Sequence, residues 1–211
     1  MPRSIQRPTR ARLIRGFSIL ASCAALAAAT TITMTAGAEA DSNAPAPPLP
    51  VFTPTPTNWA PNFAFPHNLR QNKVTDADIT SEREMCEWFN AQFDVLMDQI
   101  NTFNANLAAD HDDYSAPGIQ KQADAVTANI DQSEGYLAPR ARAFTRVDDC
   151  DGDSCNTYIP IYEGDDFRRV WQQQSNISTS IKNHNPPEIN NTSIGLTNLY
   201  ANGIRASGVC A

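Results

Sequence analysis

The stretch SEREMCEWFNAQFDVLMDQINTFNANLAA, residues 81–109, decides the fold. Its residues Cys86, Phe89, Phe93, Leu96, Ile100, Phe103 and Leu107 recur at alternating steps of three and four. That rhythm is the inward seam of a helix packed against other helices. Ser81 followed by Glu84 reads as a capping box that starts the helix. Asp110-His111-Asp112-Asp113 ends the pattern.

Working outward, the same rhythm returns three times. A second helix is expected from near Ser115 or Pro117, with Ile119, Ala123, Val126, Ile130, Ser133 and Leu137 on its seam. Pro139 is expected to kink or end it, although Ala141 and Phe144 would continue the stripe. A third opens at Asp165 or Asp166, where acids suit the helix dipole, and runs through Phe167, Val170, Gln174, Ile177, Ile181 and His184. A fourth opens at Asn185-Pro186-Pro187-Glu188, with Ile189, Thr192, Leu196, Leu199, Gly203, Ala206 and Cys210 as its stripe. Gly195 and Gly203 make it the weakest helix by propensity, so it is expected to depend on packing and on a staple. The expected fold is all-α: an antiparallel, up-down-up-down four-helix bundle stapled by two disulfides and preceded by a Pro-rich extended tail.

In that topology Cys86 and Cys210 lie at one end of the bundle and both face inward, which predicts a Cys86–Cys210 disulfide. Cys150 and Cys155 would then close a small loop around Asp151-Gly152-Asp153-Ser154. The connection between the second and third helices lies at the same end, so a swapped pairing is also geometrically allowed. Thr157–Tyr162 reads as extended, and as a hairpin partner for residues 144–149.

Upstream of the helices the chain reads as an address and a tail. Five arginines precede an apolar run from Phe17 to about Met34, followed by Ala36-Gly37-Ala38 and Ala38-Glu39-Ala40. This is the pattern of a secretory signal peptide over residues 1–40, cleaved near Ala38 or Ala40. A retained membrane anchor is the bland rival, though the run is only weakly apolar. Leu20-Ala21-Ser22-Cys23 is a sharper one, because it resembles the site at which bacterial lipoproteins are lipidated on Cys. Removal of residues 1–40 takes away five Arg and one Glu, so the overall charge of -7 becomes -11 on 171 residues. It also takes away Cys23 and leaves four cysteines, an even number suited to an oxidising compartment.

Residues 41–79 are expected to be extended or disordered, because Pro45, Pro47, Pro48, Pro50, Pro54, Pro56, Pro61 and Pro66 exclude regular structure. A plain spacer has little use for Phe52, Trp59, Phe63 and Phe65, which are expected to pin residues 58–66 onto the folded domain or to dock on a partner. Residues 80–211 form the expected bundle domain, with an acidic loop at 146–166.

The sites legible in the sequence are few. Asp149, Asp151 and Asp153 have the first three spacings of a calcium loop, but Ser154 and Pro160 occupy the positions that need Gly and Glu. His111 and His184 are expected at the bundle end opposite the disulfides, near Asp110, Asp112 and Asp113, where they form a second candidate metal site. Hydrolase, nucleotide-binding and zinc-protease motifs are missing, and no cofactor is expected. The acidic balance argues against nucleic acid as a partner.

Over residues 1–60 the composition is similar to that of exported proteins of high-GC actinobacteria. That resemblance assigns no functional residue. The chain is expected to be a non-enzymatic protein of the bacterial envelope or extracellular space that binds a protein or cell-wall component. It would meet membrane only through its signal or a lipid on Cys23. The alternatives are a small-ligand or metal carrier, using a pocket between helices or the His111/His184 end, and an unrecognised cell-wall hydrolase.

Overall fold

A computed structural model describes residues 44–61, 71–151, 154–186 and 192–211. The signal-peptide residues, Cys23, Phe63, Phe65 and Asp153 lie outside the described residues, as does most of the expected start of the fourth helix.

The seam of residues 81–109 is buried along its whole length, with none of its seven members more than 6% exposed. The helix starts one turn and more before Ser81, however. Helix α1 spans Asp76–Trp88, and its cap is Thr75. The Thr75 hydroxyl accepts from the Asp78 amide, and the Asp78 carboxylate accepts from the Thr75 amide. A capping box therefore exists, but Thr75 and Asp78 make it, and Ser81 is buried inside the helix. A π-helical turn at Phe89–Phe93 leads directly into α2, Asp94–Ala109. The wider turn lets Trp88 and Phe89, neighbours in sequence, both face inward. Phe89 then stacks on Phe93 with centroids 4.6 Å apart.

Helix α3, Ile119–Ala143, follows Gly118, whose φ of 90° is a conformation other residues rarely adopt. Pro139 lies inside α3 and does not end it. Ala141 and Phe144 stay in the core, and the Tyr136 carbonyl accepts from the Arg140 guanidinium at 2.6 Å. Helix α3 packs on α1 and α2 and also on α4, Gly164–Lys182. Helix α5, Ile194–Ser207, packs on α4.

The buried face of α5 is not the expected one. Ser193, Thr197, Ala201 and Ile204 point inward, whereas Leu199 is 59% exposed and Thr192 and Ala206 are exposed. Of the expected stripe, Gly203 does come close to α4: a Cβ there would collide with the Asp166 carboxylate.

The fold is mostly helical rather than purely so. Between α3 and α4, strands β1 (Val147–Asp151) and β2 (Ser154–Tyr158) form an antiparallel hairpin. Its register sets Cys150 opposite Cys155, so it begins and ends later than the 144–149 pairing and closes earlier than Tyr162. Both disulfides join the expected partners, Cys86–Cys210 and Cys150–Cys155.

Candidate functional site

The most elaborate polar arrangement holds the Pro-rich stretch. Residues 44–61 are irregular and extended, yet they lie against the helices as a strap. Leu49 is 6% exposed and belongs to the core, and its amide donates to Asn129 Oδ1 at 2.9 Å. Asn129 Nδ2 donates to the Pro47 carbonyl at 2.9 Å, and Gln99 Nε2 donates to the same oxygen at 3.1 Å. Gln132 Nε2 donates to Leu49 O and Pro50 O, and Gln92 Nε2 to Pro50 O. Phe52 meets Tyr136 edge-on, and Trp59 Nε1 donates to Val209 O at 3.3 Å.

The chemistry of the strap explains this ladder. Proline offers a carbonyl but no N–H, so a Pro-rich segment can be held through its acceptors by side-chain donors. Gln92 and Gln99 stand two turns apart on one helix, and Asn129 and Gln132 one turn apart on another, so both pairs face the strap. Because they bind main chain, the ladder reads an extended backbone more than particular side chains. Where the strap leaves Ala46 and Pro47, an apolar cavity of about 410 Å³ opens over Val95, Phe103 and Val126.

A second cluster lies inside the domain. Glu82 is fully buried, and neither of its carboxylate oxygens has a hydrogen-bond partner among the described residues. Burial first, then the charges of Glu163 and Asp78, push its pKa up to about 9. Glu163, in a left-handed conformation with φ of 58°, is pushed up to about 7 by burial and by Asp166. Asp166 is itself raised by burial. Glu82 holds its proton inside the protein, away from any substrate in solvent, whereas Glu163 and Asp166 are half-buried.

The residues singled out as metal candidates are distributed differently. Asp149 stands on β1 opposite Asn156, and the backbone of Asp151 pairs with Ser154. An extended strand does not wrap oxygens around an ion as a calcium loop does. His111 and His184 both follow helix ends with positive φ. His184 stacks on Tyr114 with centroids 4.1 Å apart and lines a cavity with Asp112 and Asp113, whereas His111 is exposed and turned to the Ala109 carbonyl. Among the described residues no group of three His, Cys, Asp or Glu side chains is placed to hold a metal ion. Among them, too, no helix is long and apolar enough to cross a membrane.

Sequence reasoning missed Leu49 and the four amides. The available signal was a leucine isolated among prolines, together with Gln and Asn residues at helical spacing. Compared with known proteins, the chain matches no family model, no curated protein and no solved structure.

Proposed function

We propose that this chain is an exported, non-enzymatic protein of the bacterial cell envelope or extracellular space, and that it binds a protein or cell-wall partner. Its scaffold is an antiparallel, up-down-up-down four-helix bundle. Two disulfides support export, since such bonds persist in oxidising compartments. The observation that carries the binding reading is the strap. Four amide side chains grip an extended Pro-rich segment by its main chain, with the exposed Val51 on that segment and the exposed Val95 beside it. Photo-cross-linking side chains at Val51 and Val95, introduced in the exporting cell, test this directly. One recurrent product at either position, lost when the cross-linker is moved to Lys121, is expected. Products equal at all three positions would remove the reading.

A small-ligand carrier is the second reading, favoured by the apolar cavity under the strap, whose size suits a small molecule. Native mass spectrometry of the exported protein checks it through retained mass. The hydrolase alternative gains nothing from the buried acids, because Glu82 is closed off from solvent.

A further inference from the structure

The described arginines differ in how they are partnered. Arg83, Arg140 and Arg205 each pair with a carboxylate, as does Lys182. The side chains of Arg146 and Arg168 have no ion pair and no hydrogen bond among the described residues, although acids are abundant. Both open onto a single polar cavity of about 300 Å³ between the hairpin, α4 and α5. Arg169 lines the same cavity and is held there by the Tyr200 hydroxyl at 2.9 Å.

Three guanidinium groups facing one space repel one another, and an acidic chain has carboxylates to spare for neutralising them. One carboxylate stands on the wall: Asp165 Oδ2 accepts from the Ile159 amide at 3.3 Å, and its charge, with that of Asp166, acts on Arg169. On the adjoining hairpin, Asp148 accepts from the Thr157 hydroxyl at 2.6 Å. With three arginines and one carboxylate in its lining, the cavity is a cationic recess in a protein of opposite overall charge.

We propose that this recess binds a phosphate-bearing ligand, held by Arg146, Arg168 and Arg169. A carboxylate is satisfied by the fork of one guanidinium, whereas the several oxygens of a phosphate can be shared by three. The cavity also exceeds the size of the bare anion. Tyr158, Tyr200 and the amides of Gln172 and Gln173 line the remainder, which suits a hydroxylated group such as a sugar or glycerol attached to the phosphate. The site is independent of the strap, and it stands whether or not the strap binds a partner.

Calorimetric titration of the purified protein with inorganic phosphate, glycerol 3-phosphate and glucose 1-phosphate tests the assignment. Saturable one-site binding that weakens with added salt is expected. R146Q/R168Q should weaken it at least about tenfold, and R146K/R168K by less, because charge survives without the fork. Circular dichroism of both variants should match the parent, since neither arginine has an internal partner to lose. Tighter binding of the two esters than of phosphate would assign the polar wall to the attached group. Equal binding would confine recognition to the phosphate. Absence of saturation with all three to about 10 mM, or unchanged affinity in R146Q/R168Q, would overturn the proposal.

Discussion

The first helix and the last are joined by a disulfide, yet they are held in place by opposite means. The α1–α2 helix is anchored by bulk: Trp88, Phe93, Leu96, Ile100, Phe103 and Leu107 are essentially inaccessible to solvent. Helix α5 buries Thr197, Ala201 and Ile204, and much of its hold comes from its end. There Cys210 is bonded to Cys86, the Cys210 carbonyl accepts from Asn90, Val209 is met by Trp59, and Arg205 pairs with Asp94. Burial of large side chains secures a helix along its length, whereas point attachments secure it where they fall.

The largest effect should come from the attachment itself. Replacing Cys86 and Cys210 together by Ser frees a loop of 124 residues and should lower stability by about 4–5 kcal/mol. Hydrogen exchange should show α5 opening first, and a uniform loss of protection in α1 and α5 would break the contrast. Phe93→Ala should cost about 3–5 kcal/mol in a urea titration, because it empties a packed aromatic site. A cost below about 1 kcal/mol would mean that bulk does not anchor the first helix.

The first helix also contains a flaw, and its sign can be worked out. A glutamate in the unfolded chain releases its proton near 4.5, whereas buried Glu82 holds its own to about 9. Across that window the folded state binds more protons, so the Glu82 contribution is fully present below pH 4.5 and is lost as pH rises toward 9. Glu82→Gln removes that slope. Its stability relative to the parent should improve by roughly 4 kcal/mol between pH 5 and 8, measured by urea midpoints. A constant difference across that range would show that the carboxyl titrates normally. The smallest effect belongs to the last helix: Leu199→Ala should change stability by no more than about 0.5 kcal/mol, because the side chain is exposed. A cost near 2 kcal/mol would put Leu199 back in the core.

The same contrast explains what could be seen in the residues beforehand. Large apolar groups at helical steps announce their buried face, and the α1–α2, α3 and α4 seams are all visible in this way. His184 marks the limit, since it follows the rhythm of α4 but lies beyond the helix end, exposed and stacked on Tyr114. In α5 the buried positions are Thr197, Ala201 and Ile204, of which one alone is large and apolar, while Leu196 and Leu199 form a more conspicuous stripe on another face. Hydrophobic spacing misleads wherever close helix approach selects small residues. The two disulfides were legible because Cys150 and Cys155 are five residues apart and Cys86 and Cys210 are the cysteines left on the helical seams. The strap was half legible: its prolines exclude helix, but the amides that hold it come from two distant helices. The arginine recess was not, because Arg146, Arg168 and Tyr200 meet only in the folded chain.

The hairpin has a consequence for the order of events during biogenesis. As the chain emerges, the Cys86 thiol must wait for residue 210, and Cys150 and Cys155 appear first. Closure of a short loop is far faster than closure of a long one. With Cys150 directly opposite Cys155 and their Cα atoms 4.0 Å apart, the hairpin can oxidise locally and withdraw both thiols from competition. Among the described cysteines, that leaves Cys210 as the partner of Cys86 when it arrives.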